Sequence, residues 1–118
     1  MKLTADYHTH TVYSHGRGSV EDNIEAAVAR GLAKVGIADH SVSHSLYGLR
    51  RRHLAQYIAH IEQAKRAYEG RIDVKAGIEL NLTGLDGSTD MPDGRFDFAI
   101  MGFHKAILPR DLHTAWVF

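Results

Sequence analysis

The chain has 118 residues, 44% of them hydrophobic and 24% charged, the make-up of one folded domain spanning 1–118 and not of a disordered or fibrous segment. Fourteen basic residues balance fourteen acidic ones, so the basic excess of a nucleic-acid binder is missing, and the local run Arg50, Arg51, Arg52 reads as a solvated surface cluster. Cysteine is absent, which rules out disulfides, thiolate zinc sites and cysteine nucleophiles, whereas histidine is abundant at nine.

In chain order, Leu3, Ala5 and Tyr7 alternate on one face of a short strand that ends at His8 and His10, with His15 close behind. Ser19 and Asp22 have the spacing of a capping box, and Val20, Ile24, Ala27 and Val28 recur at helical spacing until Gly31. The apolar, β-branched run 34–40 reads as a buried parallel strand ending in Asp39 and His40. Leu54, Ile58, Ile61, Ala64 and Tyr68 predict a helix from His53 to Tyr68, stopped by Gly70. A third strand over 73–80 ends near Glu79, and after a turn-rich loop a fourth over 96–104 ends at His104. No repeat, low-complexity tract or linker divides the chain. No apolar run reaches the length of a membrane span and no signal-peptide core follows the start, so the expected compartment is the cytoplasm.

Alternation of strand and helix implies an α/β fold whose parallel strands, joined by right-handed crossovers, present all their C-terminal ends on one rim. His8 and His10, two apart on an extended segment, face the same side, and His40, Glu79 and His104 arrive from neighbouring strands. A purely structural role gives no reason for ligand types to collect there. Imidazole and carboxylate without thiolate suit zinc, manganese or iron, and one carboxylate can bridge two ions about 3.5–4 Å apart. Asp39, beside His40, is open to three readings, a metal ligand, a strand-end cap or a carboxylate that accepts a ring N–H and orients the ring, of which the last is preferred. His44, His53, His60 and His113 fall in loops or helices without a matching carboxylate and read as surface or packing residues. The stretch DGSTD at 86–90 begins like a calcium loop, but Met91 occupies the required glycine position, which leaves an ordinary turn. Dinucleotide, phosphate-loop, G-x-S-x-G and H-E-x-x-H motifs are all missing.

Taken together, HTH at 8–10, ADH at 38–40, GIEL at 77–80 and GFH at 102–104 resemble the ordered signature of the polymerase and histidinol phosphatase (PHP) superfamily. The opening DYHTHTVYSHGRG looks most like its free-standing phosphatase-like branch. The resemblance implies the N-terminal part of a distorted (β/α)7 TIM-like barrel with up to three divalent ions, zinc, manganese or iron, at the strand C-termini. It further implies that His8 and His10 bind one ion with Glu79, that Glu79 and His104 share a second, and that His15 and His40 contribute to a third. The reaction so implied is hydrolysis of a small phosphate monoester by metal-activated water, without a protein nucleophile. Alternatives are a 3′–5′ exonuclease or polymerase-associated domain acting on phosphodiesters, which the neutral charge disfavours, and a non-catalytic metal-binding module. Family members continue into further strands and ligands beyond the span seen here. We therefore expect a chain that self-associates or is completed by a C-terminal half.

Overall fold

A computed structural model describes residues 1–104 and 107; His113 lies outside them. Four parallel strands, β1 (Ala5–Thr9), β2 (Lys34–Ile37), β3 (Asp73–Asn81) and β4 (Phe98–Gly102), pair in the order β1-β2-β3-β4. Helices α1 (Val20–Ala29) and α2 (Leu54–Ala67) follow β1 and β2. Consecutive order with same-handed crossovers puts both helices on one face and curls the sheet into an arc of a TIM-like barrel, whereas a doubly wound sheet would reverse its order at a switch point.

The core fills the space between that face and the helices. Val35 and Ile37 of β2 and Val74, Ala76, Ile78 and Leu80 of β3 meet Val20, Ile24 and Ala27 of α1 and Tyr57, Ile61 and Ala64 of α2. The capping box forms: Ser19 Oγ accepts the Asp22 N–H while the Asp22 carboxylate accepts the Ser19 N–H. After the helix, Gly31 takes φ +74°, a left-handed turn that glycine adopts without penalty.

Several details depart from the sequence reading. The buried stripe of α2 runs through Tyr57, which the apolar pattern passes over, while Leu54 and Ile58 are only partly buried. Leu3 precedes β1 and is exposed, and Tyr7 is not in the core. Asp6 pairs with Val35 but Thr9 with Ile37, so β1 carries an extra residue, and such a bulge disturbs the inside-outside alternation and re-aims the side chains that follow. β2 ends at Ile37, and His40 rejoins the sheet through an isolated bridge to Glu79. β4 starts at Phe98, and Asp97 just before it bonds Ala76 twice, donating its N–H to the Ala76 carbonyl and accepting the Ala76 N–H on its carboxylate.

The other face of the sheet is concave. The Phe98 ring lies across Gly36 and Gly77, where an added Cβ would come within 2.7 Å and 2.3 Å of it, and meets Tyr7 edge-on at 5.5 Å. Glu79 stands two residues beyond Gly77 and therefore projects from the same face. No helix among the described residues is long and apolar enough to cross a membrane.

Candidate metal centre

Glu79 is 4% exposed and surrounded by imidazoles. Its Oε2 lies 2.9 Å from His8 Nε2, 3.2 Å from His10 Nε2 and 3.4 Å from His40 Nδ1, and its Oε1 lies 2.9 Å from His104 Nε2. Three groups bring one ligand atom per residue within 4.8 Å of one another: His8, His10 and Glu79; His40, Glu79 and His104; and His10, His15 and His40. All six residues expected from the sequence thus meet on one rim. The carboxylate is common to two groups, with one oxygen turned to each side.

Local structure explains the convergence. His15 reaches back over His10, ring centroids 4.8 Å apart, because the loop between β1 and α1 closes on itself through Gly16 N–H to Thr11 O and Val12 N–H to Gly18 O. Gly16 packs so tightly that a Cβ would meet the His10 carbonyl oxygen at 2.3 Å. Asp39, fully buried, holds that loop: its carboxylate accepts the Thr11 N–H and Thr11 Oγ–H, each at 2.7 Å, and the Ser14 hydroxyl. The expectation that Asp39 accepts a histidine N–H is therefore replaced by a different role. It orients the loop that carries His15, and no described ring nitrogen bonds to it.

A residue the motif reading missed fixes His104. The fully buried Asn81 gives its amide N–H to Asp90 Oδ2 at 2.6 Å, which turns its Oδ1 toward His104 Nδ1 at 2.7 Å. His104 must then donate from Nδ1, leaving the Nε2 lone pair facing Glu79 Oε1. Two lone pairs at that distance require a cation between them, a proton or a metal ion. Glycine makes the approach feasible, since a Cβ on Gly102 would lie 2.0 Å from His104 Cε1. The signal for Asn81 was present as a polar residue two positions past Glu79, on the same strand face.

The electrostatics favour neutral rings at His10 and His40 and an ionised carboxylate at Glu79, the states that metal ligation needs. Burial, reinforced by the neighbouring His10, His104 and His15, lowers the pKa of His40 to about 4 against the opposing pull of Glu79. His10 is lowered chiefly by burial as well. For Glu79, burial alone would raise the pKa, but the hydrogen bond to His8 and electrostatic interaction with the His40, His8 and His104 rings outweigh it and hold the carboxyl below its usual range. Nδ1 of His10 and Nδ1 of His40 are buried with no hydrogen-bond partner. Orphaned buried nitrogens beside an ionised carboxylate fit a site for divalent cations, and the nitrogen and oxygen donor set fits zinc, manganese or iron.

The remaining histidines divide. His53 is half-buried at the end of the short 3-10 turn Arg51–His53, close to Arg52. His60 has the carboxylate that its sequence context did not reveal, since its Nε2 lies 2.7 Å from Glu21 Oε1 and its Nδ1 3.0 Å from the Tyr13 hydroxyl, joining α2 to α1. His44 is buried beside the cluster, its ring tilted against that of His40 at 5.1 Å and edge-on to that of His104 at 6.0 Å. The Asp86 carboxylate accepts the Ser88 N–H, and Gly87 takes φ +87°, as an ordinary turn requires.

A histidine-rich rim around one buried glutamate, at the C-terminal ends of parallel strands, coincides with the match of the PHP domain to residues 6–113. The chain belongs to the PHP family. A probable phosphatase of Aeromonas salmonicida is 31% identical over 113 residues, covering 92% of this chain and 44% of the relative. One from Acetivibrio thermocellus is 32% identical, covering 97% and 48%, and a probable histidinol-phosphatase of Deinococcus radiodurans is 28% identical, covering 83% and 40%. This PHP chain thus spans less than half the length of these relatives.

Proposed function

We propose that the chain carries the metal-binding half of a phosphoesterase that hydrolyses small phosphate monoesters, in the manner of the phosphatases it is similar to. The observation that carries this reading is the buried Glu79 carboxylate, set between His8, His10 and His40 on one oxygen and His104 on the other. His8 and His10 with Glu79, Glu79 and His104 with His40, and His15 and His40 with His10 would hold up to three divalent ions. Zinc, manganese or iron there would supply Lewis-acid activation of water and neutralise charge on the phosphoryl oxygens.

The chain's own residues contribute the arrangement. Asp39 and Gly16 hold the loop that brings His15 to the rim, and the Asn81 and Asp90 pair fixes the tautomer of His104 so that Nε2 is the donor atom. Direct attack by metal-activated water needs no protein nucleophile.

The test is purification without chelator, elemental analysis, and assay of a small phosphomonoester beside single-stranded DNA. We expect bound zinc, manganese or iron, faster cleavage of the monoester, loss of activity with chelator and recovery with manganese or zinc. Less than a tenth of an equivalent of metal after anaerobic loading, about the level of adventitious carry-over for sites of ordinary affinity, would reject the metal centre. Preferential degradation of DNA would assign the centre to phosphodiesters.

A further inference from the structure

The loop from His40 to Arg50 ties the histidine cluster to a basic groove. Leu49 is buried and its N–H donates to the His40 carbonyl at 2.9 Å. Gly48 packs so closely that a Cβ would meet the carbonyl oxygens of Ser41 and His44 at 2.6 Å, and the Tyr47 N–H donates to His44 Nδ1 at 3.0 Å. The Tyr47 ring is consequently held against the cluster, 5.0 Å from His44 and 5.3 Å from His15. With its Nδ1 accepting from Tyr47, a neutral His44 carries its proton on Nε2 and can serve as a hydrogen-bond donor at the rim.

Beyond Tyr47 opens a groove of about 530 Å³ whose lining includes Tyr13, Arg50, Arg52, His53 and His60. No carboxylate lines it, and among the described residues neither Arg50 nor Arg52 forms an ion pair with an acid. The arginine run is exposed, as a solvated surface cluster should be, and two of its three members border this groove next to the candidate metal centre. Tyr13 is pinned there by His60, which is itself held by Glu21, so the wall of the groove is built and not a chance meeting of long side chains.

We infer that this groove is a second anion-binding subsite, taking a phosphate or carboxylate group carried by the substrate at the end remote from the ester to be cleaved. The inference rests on the phosphomonoesterase reading for the position of the scissile group. Guanidinium groups bind such anions through paired, charge-assisted hydrogen bonds, and the faces of Tyr13 and Tyr47 can cover the body of the molecule between the two anionic ends. An aminoalkyl phosphate is disfavoured by the same geometry, because its ammonium group would face Arg50 and Arg52. The preferred substrate is therefore a doubly anionic organic phosphate.

Calorimetric titration of the manganese-loaded chain with fructose 1,6-bisphosphate, glycerol 3-phosphate and phosphoethanolamine tests this. The bisphosphate should bind about tenfold tighter than glycerol 3-phosphate, with phosphoethanolamine weakest. The double variant R50A/R52A should lose that advantage while keeping its metal content and its affinity for glycerol 3-phosphate, and R50K/R52K should retain only part of it, since an ammonium supplies charge without the paired contact. Equal affinity for the three probes, or a preference that survives R50A/R52A, overturns the subsite. Phosphate release from glycerol 3-phosphate on the same preparations separates the two readings. Arginine-dependent preference without hydrolysis, even with the C-terminal half of a relative supplied, supports the subsite and removes the phosphatase reading, whereas hydrolysis without preference removes the subsite alone.

Discussion

Glu79 and Gly102 show how much of the candidate centre depends on single atoms. Glu79 belongs to two of the three ligand groups, whereas His15 belongs to one. Glu79→Gln should therefore lower metal content more than His15→Ala, and His53→Ala and His60→Ala should barely change it; elemental analysis of the four variants decides, and equal losses at Glu79, His53 and His60 would reject the bridging assignment. Gly102 supplies an absence of atoms. A methyl group there would collide with His104 Cε1 and Nε2 and come within 2.8 Å of Glu79 Oε1. Gly102→Ala is expected to displace His104 and weaken metal binding by about 10–100-fold, the loss typical when a group that orients a ligand is disturbed, with an unchanged circular dichroism spectrum. Competition against a chromophoric chelator measures it, and wild-type affinity would show that the ring can reach Glu79 by another path.

Among the elements, the strand ends that carry these ligands are joined from behind by α2. The fully buried Tyr57 hydroxyl accepts the Asp39 N–H at 3.1 Å and donates to the Gly77 carbonyl at 2.9 Å, joining the end of β2 to the middle of β3. Its pKa is pushed well above the ordinary tyrosine value, chiefly by burial, so it stays a neutral donor. Tyr57→Phe leaves a buried N–H and carbonyl unpaired, which should cost about 1–3 kcal/mol in denaturant unfolding at unchanged slope; no shift in midpoint would mean that another group takes over both bonds. This bond is also where sequence reading reached its limit. α1 was legible because its cap and apolar stripe are local, five of the ligands were legible because they fall at or just past strand ends that share one rim, and His15, in the loop after β1, was legible only through the resemblance of the opening stretch. Tyr57, Asn81 and the Glu21 partner of His60 were not, because each acts on a residue from another element, at a distance that only the packed chain defines. The bulge in β1 was hidden for a related reason: register is a property of a strand pair, and β1 alone shows plain alternation.

At the scale of the whole molecule, the arc has two open sides. Among the described residues no strand pairs with the outer edge of β1 or of β4, and Leu3 and Met101 are exposed near those edges. Unpaired backbone donors and acceptors along parallel strands invite another strand, and the concave face bearing Tyr7 and Phe98 is of the kind a closed barrel fills with side chains. Among the described residues each ligand group offers three protein atoms, fewer than the four to six typical of zinc or manganese, so the rest of each coordination shell is left to water or to other parts of the chain. Edges and ligands therefore call for the same remedy. We expect the purified chain to self-associate, through its edges, to bind metal weakly and to hydrolyse phosphomonoesters slowly, and both metal affinity and activity to rise when the C-terminal half of a relative such as the Aeromonas salmonicida phosphatase is supplied in cis or in trans. Size-exclusion chromatography with light scattering, run beside a phosphatase assay, measures both. A monodisperse monomer with full activity would show that the arc needs neither a second copy nor a completing half.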